Sequence, residues 1–190
     1  LCTGAAVCIM MIQGGSNVWV ALLCAFLAGM LAGFVTGLFH TFMGIPAILA
    51  GILTQLGLYS VNLKIMGKSN QAINVDKFDL LVSLRYIKNV AIYKNTILIV
   101  AIVIVLLVAV LYWFFGTELG CSLRATGCND KMARAQGINT DFNRVLGLMI
   151  SNGLVAFSGA LLGQYQGFSD INMGRGATVS YTHLTLPTTP

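Results

Sequence analysis

The sequence predicts an all-α, polytopic transmembrane helical bundle. Composition carries the first part of this: 57% of the 190 residues are hydrophobic and 9% are charged, against roughly 25% charged in a soluble domain. Mean hydropathy is +0.83, which excludes a water-soluble globule. The charges are also segregated. No Asp, Glu, Lys or Arg lies in residues 1–63, 96–117 or 145–169, and about 20 apolar residues are enough to cross about 30 Å of hydrocarbon. The net charge of +5 resides in polar loops beside those segments, so it marks membrane flanks and not a nucleic-acid-binding face.

Taken in order, residues 1–12 read as the tail of an apolar helix, a partial span. It is closed by Gly14-Gly15 and restarted at Ser16-Asn17, a capping pair. The apolar run is already under way at Leu1, with no initiator Met and no basic flank, so residues 1–178 read as a fragment of one transmembrane domain. The first whole span is 17–39. It carries Gly29, Gly33 and Gly37 four residues apart, a doubled GxxxG that lets another backbone approach. That stripe is either a packing face within the bundle or a homodimer seam. His40 at its edge is either interfacial or a proton carrier. Pro46 suits the first turn of the next span, 46–66. There Gln55, Tyr59 and Asn62 share one face at i, i+4 and i+7; uncharged polar groups at depth either bond between helices or line water.

Residues 67–95 form a polar connector whose stretch 75–87 is amphipathic enough to lie on the interface. Its Gly67-Lys68-Ser69 fails as a phosphate loop, because the earlier glycine position holds Asn62 and no strand precedes it. Residues 96–115 are a span rich in Ile, Val and Leu, ending in the aromatic belt Tyr112-Trp113-Phe114-Phe115. Backbone groups in lipid must bond internally, so a helix wins over the β-branched propensity for a strand. After a second polar loop, 116–144, comes the span 145–165 with Ser151 and Asn152. Gly159, Gly163 and Gly167 repeat the small-residue spacing, and 167–176 reads as a break or re-entrant turn. Residues 179–190 differ in character and resemble a translated sequencing adapter, so they are set apart from the native chain. The five cysteines (Cys2, Cys8, Cys24, Cys121, Cys128) show no CxxC and no histidine at ligand spacing; they read as small hydrophobes and no metal is expected.

In the second loop, Asn129 can cap a short helix over 130–136. Asp130 sits at its positive end, and Gly137 stops it. Such a helix between two spans is either an ordinary surface turn or an element that docks into a groove on a soluble partner. The residues Arg124-Ala125-Thr126-Gly127, Asn129, Asp130, Ala133-Arg134 and Gly137-Ile138-Asn139 resemble the cytoplasmic coupling-helix loop of ABC importer permeases in the branched-chain amino acid and ribose permease superfamily. The likeness extends to Ile45-Pro46-Ala47-Ile48-Leu49-Ala50-Gly51, to Leu58-Tyr59-Ser60-Val61-Asn62-Leu63 and to the runs 147–154 and 164–168. These are similar to a subgroup of transport-system permeases, some associated with tryptophan or tyrosine uptake. The resemblance covers about residues 17–176.

The resemblance implies a short cytoplasmic coupling helix, a paired permease core in the inner (plasma) membrane, cytoplasmic ABC ATPase subunits and an extracytoplasmic solute-binding protein. It places ATP and Mg on the ATPase and no cofactor on this chain. Arg124 and Arg134 would position the loop through charge-assisted bonds, and Gly127 and Gly137 would permit its turns. Solute contacts are expected from Gln55, Tyr59, Asn62, Asn152 and Gln164. Lys and Arg number five in 67–95 and four in 116–144, close to a tie by the positive-inside rule, so orientation follows the motif and puts the second loop in the cytoplasm. No Walker motif, paired carboxylates or nucleophile with its base is present, so the chain reads as a transport subunit and not an enzyme. A secondary transporter is the alternative, and it would require ionisable groups inside spans; a non-transporting membrane subunit is the third reading.

Overall fold

The structure is a computed structural model that describes residues 1–72 and 96–173. The interfacial stretch 75–87 and the distinct segment 179–190 lie outside the described residues. Within them the order is α1 (Cys2–Gln13), α2 (Val18–Thr41), α3 (Ala47–Met66), β1 (Asn70–Ala72), α4 (Thr96–Gly116), α5 (Glu118–Cys128), α6 (Asp130–Ala135), α7 (Thr140–Gln166) and β2 (Phe168–Asp170). Helices α2, α3 and α7 are each long and apolar enough to span a bilayer; α4 and α5 meet at an 80° bend. The chain is a polytopic helical membrane protein.

Small residues decide how the bundle closes. On α2, a Cβ at Gly29 would meet the Ala156 side chain and lie 2.7 Å from the Asn152 carbonyl oxygen. A Cβ at Gly33 would meet the Leu148 carbonyl and lie 2.8 Å from the Met149 Cα, and one at Gly37 would lie 3.1 Å from the Val145 Cα. The stripe therefore runs antiparallel along α7 with backbone against backbone, the geometry in which dispersion and weak polar contacts replace the hydrophobic driving force absent in lipid. Gly159 and Gly163 on α7 do the same for α1: a Cβ at Gly159 would meet Leu1, and one at Gly163 would lie 3.1 Å from the Ala5 side chain. The centre is correspondingly fine-grained, with Cys8, Ile12, Ala21, Leu22, Ala25 and Ala160 buried together.

Helix α3 is held differently. A Cβ added at Gly51 or Gly57 would meet nothing within 4 Å, and most of the helix's side chains are exposed. At the α3 and α7 C-termini the chain turns into an antiparallel strand pair, Asn70 opposite Asp170 and Ala72 opposite Phe168. Gln13 at the end of α1 donates to the Ala72 carbonyl at 3.1 Å and accepts from Gln71 at 3.0 Å. Residues 167–170 thus form a turn at Gly167 (φ +72°) into a strand.

Three expectations need correction. Residues 118–128 are not loop but helix α5: the Thr117 hydroxyl accepts from the Gly120 amide and Glu118 sits in the first turn. Gly127 is consequently helical and permits no turn, whereas Gly137 does, at φ +81°. Helix α7 starts at Thr140, five residues before the expected 145, because the Asn139 side chain caps it by accepting from the Phe142 amide at 3.2 Å.

Candidate functional site

A cavity of about 560 Å³ opens between α3 and the α2–α7 pair, with the start of α1 and Ile171 completing its wall. That volume is in the range of small-molecule sites, roughly 300–1,000 Å³. Gln55, Tyr59 and Asn62 line it from α3, and Ser151 and Asn152 from α7; among the described residues no charged side chain lines it. The helical spacing that puts the α3 residues on one face also turns that face toward the cavity. Gln164 is elsewhere. It is fully buried between α7 and α1, with Nε2 3.2 Å from the Cys8 sulfur and Oε1 unpaired, so it belongs to the helix interface and not to the cavity.

Thr36 is a cavity residue that the sequence did not mark. Its hydroxyl lies 3.0 Å from that of Thr54 on α3, and each is also near the carbonyl four residues back, Ala32 at 3.0 Å and Ala50 at 2.9 Å. Each hydroxyl has one hydrogen to give, so one threonine donates across the gap while the other donates to its own helix. At the other end of the cavity the Asn62 amide nitrogen donates to the Thr3 hydroxyl at 3.2 Å. The Asn62 side-chain oxygen is buried without a partner. Asn152 donates to the Leu148 carbonyl at 3.0 Å.

The second feature is the α5–α6–α7 corner, at the opposite end of α7 from the strand pair. The Asn129 side chain caps α6 by accepting from the Met132 amide at 3.2 Å, and Asp130 in the first turn with Arg134 in the last complement the helix dipole. Arg134 donates to the Thr140 hydroxyl at 2.8 Å and to Asp141 at 3.0 Å. Arg144 pairs with Asp130 at 2.8 Å. Thr126 on α5 accepts from Asn143 on α7 at 3.1 Å, a buried bond. Ala133 is buried at 3%, Met132 is 60% exposed, and Ile138 is half-buried. Arg134 bonds to Thr140 and Asp141, Arg124 makes no side-chain bond among the described residues, and Arg144, which the sequence placed at a loop end, pairs with Asp130.

The described residues thus combine a multi-pass helical bundle, an uncharged polar cavity and a short charged helix between spans. The chain belongs to the family described as Branched-chain amino acid transport system / permease component, which matches residues 1–185. It is 41% identical over 177 residues to a tyrosine transport system permease protein of Clostridioides difficile, covering 93% of this chain and 56% of that protein. It is 38% identical to an uncharacterized protein of Rickettsia prowazekii, over 84% of this chain and 54% of the relative. To an autoinducer 2 import system permease protein of Yersinia pestis it is 29% identical, over 88% of this chain and 46% of the relative. The chain therefore spans about half the length of the curated relatives it matches. No solved structure matches it. Family and span composition together make it a multi-pass protein of the inner (plasma) membrane.

Proposed function

We propose that the complete protein is the membrane-spanning subunit of an ATP-driven ABC importer for a small polar solute, an amino acid such as tyrosine or tryptophan. What supports this is that one helix joins two features: α7 lines the cavity through Ser151 and Asn152 and holds the short charged helix α6 through Thr140, Asp141 and Arg144. In this scheme α6 is the coupling helix. Its outward side, with Met132 exposed, meets a cytoplasmic ATPase subunit that binds ATP and Mg, and this chain holds no cofactor. A second permease subunit completes the core, and an extracytoplasmic binding protein delivers the solute.

The cavity supports the solute class. Its amides and hydroxyls satisfy donors and acceptors without fixing a net charge, and Tyr59 offers an aromatic face. The tyrosine permease relative agrees with an amino-acid cargo. Transport of such a solute needs contacts that hold and then release, which neutral dipoles supply better than buried ion pairs. The test is uptake of labelled tyrosine into proteoliposomes by the full-length protein, assembled with the ATPase and binding-protein subunits of the proposed importer. Accumulation that requires ATP and stops when the ATPase Walker lysine is replaced supports the proposal. Uptake that follows a proton or sodium gradient and ignores ATP overturns it in favour of a secondary transporter.

A further inference from the structure

Both ends of α6 are tied to α7 through one cluster of four charges, in which Arg134 also lies 4.0 Å from Asp130 and Arg144 4.0 Å from Asp141. Asp130, its first residue, takes Arg144 at 2.8 Å. Arg134, one turn on, takes Asp141 at 3.0 Å and donates to Thr140 at 2.8 Å. The two attachment points on α6 are about 6 Å apart along its axis. A short helix held at one point and by flexible turns pivots; held at both ends, it keeps its direction relative to the helix that holds it. The covalent links of α6 are a single capping residue, Asn129, on one side and a turn through Gly137 on the other, each closed by its own hydrogen bonds. The side chains of the four charged residues are 31% to 56% exposed, so any one pair is weakened by solvent, and it is their joining in one network that holds the geometry.

What α7 does next gives that orientation a use. One turn beyond Arg144 comes Leu148, followed by Ser151, Asn152 and Val155, all lining the cavity. Helix α4, the other span leading into the corner, is bent away from α5 by 80°, and its exposed apolar side chains show it standing clear of the cavity.

We infer that the crosswise ion pairs Asp130–Arg144 and Arg134–Asp141 are the rigid link by which displacement of α6 passes to α7 and so to the cavity wall. Asp130 and Arg144 are then positioning residues for transport. This rests on the reading of α6 as the ATPase-facing helix, and two measurements separate the two claims. The first uses spin labels at Ala135→Cys and Leu162→Cys in the full-length protein, in a background without its native cysteines. The distance distribution is expected to be narrow in the parent, at least about twofold broader in Asp130→Arg or Arg144→Asp, and narrow again in the charge swap that exchanges all four residues (Asp130→Arg, Arg134→Asp, Asp141→Arg, Arg144→Asp), since Arg134 also lies 4.0 Å from Asp130 and Arg144 4.0 Å from Asp141. The milder Asp130→Asn and Arg144→Gln serve where a reversed charge prevents assembly. Unchanged widths in these variants overturn the link whatever the solute.

The second measurement is ATP hydrolysed per tyrosine transported in the assembled complex. A single substitution is expected to raise that ratio about tenfold or more while hydrolysis continues, and the swap to return it to within about threefold of the parent. A purely structural role would lower hydrolysis and uptake in proportion, and that result would overturn the inference. Failure of the parent complex to transport at all strikes the importer reading instead, and leaves the distance measurement to decide the link.

Discussion

Helices α2 and α3 join the bundle on two different terms. Along the α2–α7 seam, three glycines bring backbone to backbone and any added methyl meets a carbonyl or a Cα. Across the cavity, α3 is tied to its neighbours through a few polar pins, Thr36–Thr54 and Asn62–Thr3, and its glycines face open space. A seam with no spare volume moves as one body, because packed interiors resist deformation. A wall held by hydrogen bonds separates at modest cost. The contrast assigns α2 and α7 to the rigid half of the site and α3 to the half that yields.

The strongest way to break this comparison is to add bulk to the seam. Gly33→Leu is expected to cost more than about 3 kcal/mol, beyond ordinary overpacking, because its side chain has only the Leu148 and Met149 backbone to displace. Loss of monodisperse full-length protein in detergent would register it. The counterpart is Gly57→Ala on α3, where the new methyl meets nothing. Removing glycine from a helix interior stabilises by about 0.5–1 kcal/mol, so the melting temperature should rise by a few degrees. Equal effects at the two positions would erase the distinction.

The polar residues give a second, smaller contrast. Gln55→Ala is expected to leave the melting temperature within about 2 °C and lower tyrosine uptake severalfold, since Gln55 is exposed to the cavity. Gln164→Leu should do the reverse. It removes a buried unpaired oxygen, so stability holds or rises by about 1 kcal/mol and uptake persists. For the α2–α3 pin, Thr36→Val and Thr54→Val should show a coupling of about 0.6 kcal/mol in a double-mutant cycle, the average for hydrogen bonds between membrane helices. Smallest of all, Arg124→Ala should leave the melting temperature unchanged within error, as it makes no bond among the described residues.

How far these differences are legible in the sequence depends on whether the information is local. The glycine spacing on α2 and the cap Asn129 are short-range patterns, and the structure puts helix contacts and a helix start at those residues. The i, i+4, i+7 face of α3 is equally visible. Helix α5 escapes a sequence reading because its polar and glycine residues resemble loop composition, although Thr117-Glu118 is a start signal and Leu119 and Leu123 fall at i and i+4. The first turns of α7 escape it because Asp141 and Arg144 count as loop charges; a helix can extend past the membrane edge with its charges outside. Gln55 and Gln164 are the same residue type in comparable apolar runs, and only the neighbouring helix decides that one faces a cavity and the other Cys8. Thr36 is invisible for the same reason, its partner lying on another span. Strands of three residues, β1 and β2, carry too little pattern to be read without each other.

The central claim is that water and solute reach the face of α3 that bears Gln55, while the helix seams are closed. Labelling with a membrane-impermeant thiol reagent tests it directly, on full-length protein free of native cysteines and carrying Gln55→Cys or, as the buried reference, Ala160→Cys, which is fully enclosed. The account predicts that Gln55→Cys reacts at least about tenfold faster than Ala160→Cys and is protected by tyrosine. Equal, slow labelling at both positions would contradict it.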